Sequence, residues 1–422
     1  MLGDIPKEWE VKPLSVLLSS NSPGDWGDDG GPNMVRVLRS TNLTNHGLLN
    51  LSDIAIRALP ESKAKLLAPV AGDILLERSG GGPDQPVGRV GFIETDMPGH
   101  AFSNFLHLLR PNRCLIDGRF LAWVLHAINR TGRVLRLEQQ TTQMRNLNFR
   151  DYLTMPLPVP MQIEQRAIAH ILDTADLAMR LGGEAVVHAK ALDHSMLHSV
   201  LKYGAGSNKD KKPPSHWQVK RLFEVAEVGS GITLGKDVTG RKSIELPYLR
   251  VANVQDGHLN LNTVKTVNIS VNDVGRYRLE PGDVLMTEGG DLDKLGRGAM
   301  WEGQIPDCLH QNHIFRVRAD RSQLEPAYFA CIVESDIAKR YFTRVAKRTT
   351  NLASTNKTQV RAFRFPLPPL EEQRQIVEVV KASKAKIRAL EQKEAALRQL
   401  KQSLMHDLLT GTVRIPPALF TA

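Results

Sequence analysis

Residues 365–380 read FPLPPLEEQRQIVEVV, and residues 157–172 read LPVPMQIEQRAIAHIL. At an offset of 208, Pro158, Pro160 and Ile168 match Pro366, Pro368 and Ile376, and Glu164-Gln165-Arg166 matches Glu372-Gln373-Arg374. The prolines stop whatever precedes them and direct the chain into a helix. From Glu164 to about Lys202, and from Glu372 to about Leu409, there is no proline and helix formers dominate. The same lead-in to a long helix therefore occurs twice.

The match extends outward in both directions. EWEVKPL (8–14) returns as HWQVKRL (216–222), LRSTNLTNHGLLN (38–50) as LRVANVQDGHLN (249–260), and VAGDILLERSGGG (70–82) as EPGDVLMTEGGD (280–291). Gly88-Arg89 returns as Gly296-Arg297, and SMLHSVL (195–201) as SLMHDLL (403–409). The chain is a tandem duplication of a unit slightly over 200 residues long. Within each unit, short apolar runs such as 73–76, 283–286 and 313–317 sit between Gly, Asn, Asp and Pro clusters and predict strands. FLAWVLHAINR (120–130) and YFACIVESDIAKRYF (328–342) predict helices. The fold class is α+β, a duplicated strand-rich mixed domain followed each time by a long helix. Expected boundaries are 1–156 and 215–364 for the domains, 157–203 and 365–411 for the helical arms, 204–214 for a linker and 412–422 for a tail.

In the second arm Ile376, Val380, Ile387, Leu390, Leu397, Leu404 and Leu408 fall on alternating three- and four-residue steps. In the first, Ile168, Leu172, Met179, Val186 and Met196 hold the equivalent places. This seam predicts a helix pair, antiparallel if the halves are related by a pseudo-twofold. About 38 residues at ~1.5 Å each would make a rod of ~57 Å. Glu394 falls on the seam, and Gly182-Gly183 predicts a kink or a face opened for a partner.

Composition narrows the function classes. The formal charge of +10, from 55 basic and 45 acidic residues, favours a polyanionic partner. No apolar run reaches a membrane span and the acidic start is no signal peptide, so the cytoplasm is expected. Cys114, Cys308 and Cys331 lack zinc spacing. GSGITLGKD (229–237) departs from a phosphate loop at Ser230 and Asp237 and predicts a turn. No amino-methyltransferase, nuclease or hydrolase signature is present. His194 and His198 lack a third metal ligand and predict solvated helix-face residues. No catalytic or metal site is expected.

Two mixed domains, each closing with Leu-Pro-x-Pro and Glu-Gln-Arg before a long helix, resemble the specificity subunit of Type I DNA restriction-modification systems. The resemblance spans the chain. It includes Leu38-Arg39 with Asn42, Leu249-Arg250 with Asn253, the turns at Gly72-Asp73 and Gly282-Asp283, and the segments Thr141-Thr142-Gln143 and Thr349-Thr350-Asn351. It implies a non-catalytic subunit in which each target-recognition domain reads part of an asymmetric, split sequence in double-stranded DNA. The helices would set the gap and dock two methyltransferase subunits, which use S-adenosylmethionine. Motor-nuclease subunits, with ATP and magnesium, would complete the complex. A pseudo-symmetric scaffold for protein or RNA, or a recognition subunit of another restriction-methylation class, are the alternatives.

Phosphates call for Arg and Lys, and base edges for Arg, Asn and Gln. The expected DNA-binding residues are therefore Arg39, Asn42, Arg78, Arg89, Gln139, Gln140, Thr142, Gln143 and Arg145 in the first domain. In the second they are Arg250, Asn253, Asp291, Lys294, Arg297, Lys347, Arg348, Thr350, Asn351 and Lys357. Each is open to a scaffold reading, Arg39 and Arg250 above all.

Overall fold

A computed structural model describes residues 5–82, 85–140, 144–205, 214–235, 242–290, 295–348 and 353–416. The chain divides into two compact units, residues 1–183 with 393–422, and residues 184–392. Each unit thus holds one strand-rich domain, half of its own long helix and half of the other.

Both units use the same set of sheets. In the first, an antiparallel four-stranded sheet runs in the order Leu18–Pro23, Leu106–Pro111, Ile74–Glu77, Val90–Phe92. The second repeats it as Ala226–Ser230, Ile314–Ala319, Val284–Thr287, Gly298–Met300. A three-stranded sheet lies beside each: Ala55–Ala58, Met34–Leu38 and His100–Phe102, then Lys265–Ser270, Ser243–Leu249 and Leu309–His310. Glycine marks the crossing between these sheets. A Cβ on Gly24 would lie 2.2 Å from the Ser103 carbonyl, and one on Gly231 2.1 Å from the His310 carbonyl, so no side chain fits. Gly231 belongs to the stretch that superficially suggests a phosphate loop, and backbone crowding accounts for it.

The Gly-Asp turns are joints. Gly72 and Gly282 adopt φ of +94° and +100°, which glycine tolerates. The buried Asp73 carboxylate accepts the Val70 amide and a forked pair of bonds from Arg110, and Asp283 accepts the Glu280 amide and the same fork from Arg318.

The doubled Pro and Glu-Gln-Arg stretch joins domain to helix. Val11 pairs with Pro158 in a two-stranded ribbon, and Val219 with Pro366. The long helices follow at Gln162–Tyr203 and Leu370–Thr410. Gln165 is wholly buried, and its Oε1 accepts the amide of Asp117, which caps the helix Gly118–Arg130. Its Nε2 donates to the carbonyls of Pro160 and Leu115. Gln373 does the same for Glu325, Pro368 and Gln323. Glu164 accepts from the Trp9 indole and a forked Arg414, while Glu372 accepts from the Trp217 indole and His216. Only the arginine of each triplet, Arg166 or Arg374, is exposed.

Apolar cores bind the helices to the domains. Ile168, Leu172, Leu408 and Leu409 join the core of the first unit, and Leu197, Val200, Leu201, Ile376 and Val380 that of the second. Each such side chain contributes roughly 1.5–3 kcal/mol on burial. Met179, Val186, Met196, Ile387, Leu390, Leu397 and Leu404 are half-buried, whereas Leu181, Val187, Leu192 and Leu400 off the seam are exposed. The pairing is antiparallel. In the first unit Asp176 meets Lys401, and further along Gly182 meets Leu397.

The first long helix continues through Gly182-Gly183, and one local expectation, at 328–342, is corrected. Gly182 is a contact, since a Cβ there would sit 3.4 Å from Leu397 and 3.8 Å from the Glu394 Cβ. The stretch 328–342 is two helices, Pro326–Glu334 and Asp336–Val345, separated by Ser335 in extended conformation. The Ser335 hydroxyl caps the second helix and donates to the Ile332 carbonyl at the end of the first.

Candidate nucleic-acid interface

A third, small sheet occurs in each unit. Ser79–Gly81, Arg145–Leu147 and Glu138–Gln140 form it in the first; Gly289–Gly290, Ala353–Ser354 and Lys347–Arg348 form it in the second, in the same order. Glycines make the first strand of each sheet nearly free of side chains, so the backbone itself can approach a ligand. In the first unit this sheet brings Arg78, Gln139 and Arg145 together, from segments more than fifty residues apart in the chain. In the second it places Lys347 across the central strand from the Gly pair, with Lys357 opening the short helix Lys357–Arg361 that follows.

Arg78, Gln139, Lys347 and Lys357 are exposed, as phosphate or base contacts require. The Arg78 guanidinium lies over the Phe149 ring, 5.7 Å from its centroid, and Phe149 packs on His107 with centroids 3.9 Å apart. Burial, helped by the Arg78 charge, pulls His107 down to about 4, so the ring is neutral near pH 7. Its Nε2 contacts Asn21 Oδ1 at 2.9 Å. Arg145 is half-buried and paired with Glu138 at 3.0 Å.

Five expected contacts are scaffold instead. Asn42 is buried; its Oδ1 accepts the Arg39 amide and its Nδ2 donates to the carbonyls of Asn50 and Asp53. Asn253 is buried in the same way, with Arg250, Asn260 and Thr263 as partners. Neither amide has a free edge for a base. Arg39 and Arg250 reach back to the same loops, at Asp53 and Thr263. Arg89 is also committed, forking onto the buried Glu77 and donating to the carbonyls of Leu43 and Ser40. Arg297 makes one 3.3 Å bond to Gln255. Thr142, Gln143, Asp291, Lys294, Thr350 and Asn351 lie outside the described residues, as do the side chains of Gln140 and Arg348.

Comparison with known proteins agrees with this architecture. Residues 214–399 match the family described as Type I restriction modification DNA specificity domain. The specificity subunit of the Type I restriction enzyme EcoKI from Escherichia coli is 22% identical over 428 residues, covering 97% of this chain and 90% of its own. Residues 214–399 thus carry a Type I restriction modification DNA specificity domain, and the chain is similar to Type I specificity subunits along nearly its whole length. Specificity subunits of this kind are the non-catalytic DNA-recognition components of such systems. The putative MjaX specificity subunit of Methanocaldococcus jannaschii is 29% identical over 202 residues, and the match spans 47% of each chain. The crystal structure of the HsdS subunit from Thermoanaerobacter tengcongensis shares the fold, with a TM-score of 0.52 at 18% identity over 97% of this chain and 98% of that one. Among the described residues no helix is long and apolar enough to cross a membrane, and no group of three or more His, Cys, Asp or Glu could hold a metal.

Sequence reasoning missed the buried pair Asp176 and Lys401, 2.5 Å apart across the two helices. A seam read from apolar residues gives no warning of it. It also left the Glu and Gln of the doubled triplet without partners, although Trp9 and Trp217, at the same offset, were the available signal.

Proposed function

We propose that each unit reads one part of an asymmetric, split target in double-stranded DNA, using the small sheet and the residues around it. The observation that carries this reading is the pair of sheets with one strand order and unlike chemistry. Arg78, Gln139 and Arg145 surround one; Lys347 and Lys357 surround the other. A shared scaffold with different exposed side chains suits two different half-sites. The helix pair sets the spacing and docks two methyltransferase subunits, with S-adenosylmethionine bound by them. Motor-nuclease subunits, carrying ATP and magnesium, complete the assembly in the cytoplasm.

Genome-wide mapping of methylated adenine, with and without this gene, tests the reading. A split motif lost on deletion is expected, and exchange of residues 1–156 should alter only one half of it. A single palindromic motif, or alteration of both halves, would overturn it. Arg78→Ala and Lys347→Ala should each weaken duplex binding by the complex and flatten its salt dependence.

A further inference from the structure

The two units differ sharply at one equivalent place, where the domain's helix faces the long-helix pair. In the second unit the last residue of Pro326–Glu334 is Glu334, whose carboxylate bonds Lys384 at 2.5 Å. Asp193 adds a second acid nearby, close enough to act on the neighbouring Cys331 thiol together with Glu334 and Lys384. A Cβ on Gly257 would lie 2.8 Å from the Glu334 Oε2. The place is filled by the chain's own carboxylate.

At the offset of 208 the first unit carries His126, Asp176 and Lys401 where the second has Glu334, Lys384 and Asp193. Gly47 lies against His126 as Gly257 lies against Glu334. The charges on the long helices are exchanged, and the domain's carboxylate is replaced by an imidazole. Asp176 is held by Lys401 and Arg180, so no acid on the domain side answers the remaining cations. Arg130 and Arg133 face the same space, and neither has an ion pair among the described residues. By the same offset the second unit has Ala338 and Tyr341 there.

The space itself is open. A cavity of roughly 740 Å³ lies here, within the first unit, in the size range of small-molecule sites. Arg130, Arg133 and Lys401 supply positive charge on its wall, and Met179, Met405 and Leu409 supply an apolar one. His126 is buried and, among the described residues, makes no side-chain hydrogen bond; its ring only edges against Trp123. Burial first, then the charges of Lys401 and Arg130, pull it down to about 3. The same causes lower His46 at the rim, with Asp176 opposing and Arg180 adding to them. Arg130 and Arg133 thus lend the cavity positive charge that no ion pair among the described residues answers, where its counterpart holds a built-in anion.

We propose that this cavity binds a phosphate-bearing small molecule of nucleotide size, its phosphate held by Arg130 and Arg133 with Lys401, still paired to Asp176, beside it, and its body laid against Met179, Met405 and Leu409. Guanidinium groups fork onto phosphate oxygens and an ammonium adds a point charge, so the donor set suits that ligand. The site stands apart from the small sheet and does not depend on the DNA reading.

The test is calorimetric titration of the full chain with AMP at fixed ionic strength, with adenosine as the uncharged control. AMP should bind at least tenfold more tightly than adenosine. Arg130→Glu, an exposed change at a helix end, should weaken AMP at least tenfold. His126→Glu, which imports the second unit's carboxylate, should do the same while the melting temperature shows the chain folded. If His126→Glu does not fold, Arg130→Glu alone decides. Saturating duplex DNA should leave AMP affinity unchanged. No AMP binding at millimolar concentration, equal binding of adenosine, unchanged affinity in Arg130→Glu, or competition by duplex would each overturn the proposal.

Discussion

The two units solve one structural problem with the same joints and different fastenings. Gln165 and Gln373 each tie the start of a long helix to the capped end of a domain helix through three buried bonds of matching kind. The partner of the neighbouring glutamate differs: Arg414, from beyond the second long helix, forks onto Glu164, whereas His216 reaches Glu372. Gly411 and Gly204, both at positive φ, pack on Trp9 and Trp217 respectively. The end of the second helix therefore serves the first unit as the end of the first helix serves the second. Uncharged joints have been kept, while charged fastenings have diverged. A neutral amide bonded to backbone depends only on local geometry, but an ion pair can be exchanged for another whenever both members change together.

The largest test of this difference is at Arg89 and its counterpart. Glu77 is buried and, among the described residues, has only Arg89 to neutralise it, so Arg89→Ala strands a charge and should cost about 3–5 kcal/mol. Arg297 faces neutral Gln255, and Thr287 stands at the end of the strand that corresponds to Glu77's, so Arg297→Ala should cost under about 1 kcal/mol. Hydrogen exchange resolved by peptide reads the two units separately. Equal losses would show that the fastenings have not diverged in energy.

Next in size are Gln165→Leu and Gln373→Leu, each expected to destabilise its own unit by about 2–3 kcal/mol through unpaired buried backbone groups. Here the comparison predicts equality. A loss in one unit at least twice that in the other, by the same exchange measurement, would break it.

Most of the fold was legible because it repeats. The offset of 208 located both helices, and the three- and four-residue steps picked seam residues that are all buried or half-buried. The interface was harder to read for a physical reason. Asn42 has the side chain of a base reader, yet its role is fixed by carbonyls at Asn50 and Asp53, which only the folded loop brings near. Arg89 shows no sign in sequence of the carboxylate twelve residues away that takes up its charge. Polar residues announce what they can bond, and burial decides what they do. Arg78 and Gln139 stay exposed, and nothing local to either segment encodes that.

Acid stability offers a subtler comparison. His107 is held near 4 in the fold, below the ordinary value of 6.5. Between those limits the unfolded chain takes up the extra proton, so stability falls as pH drops from 6.5 toward 4 and levels off below. His126 and His310, at about 3 and about 4, act with the same sign. The strand position of His107, paired with Leu76, is filled in the second unit by Phe315, paired with Met286. His107→Phe should therefore reduce the pH slope of unfolding between 6.5 and 4 by up to about 1.4 kcal/mol per pH unit. Urea unfolding at several pH values measures it. An unchanged slope would show that His107 does not carry the acid sensitivity of the first unit, leaving it to groups such as His126 and His46.

The smallest effect expected is also the cleanest probe of the helix pair. Glycine inside a helix costs roughly 1 kcal/mol relative to alanine, whatever its surroundings. A Cβ on Gly183 would meet nothing within 4 Å, so Gly183→Ala should stabilise by nearly that amount. At Gly182 a Cβ would just touch Leu397 at 3.4 Å, and alanine should gain as much or slightly more. Leucine separates the two sites. Gly183→Leu extends into open space and should keep most of the gain, whereas Gly182→Leu must displace Leu397 and the stem of Glu394, reversing the sign by about 1–3 kcal/mol. Thermal unfolding of the four variants gives the answer. If Gly182→Leu stabilises as Gly183→Leu does, the close approach of the helices at Gly182 is not a packed contact, and the spacing between them is set by the buried Asp176 and Lys401 pair instead.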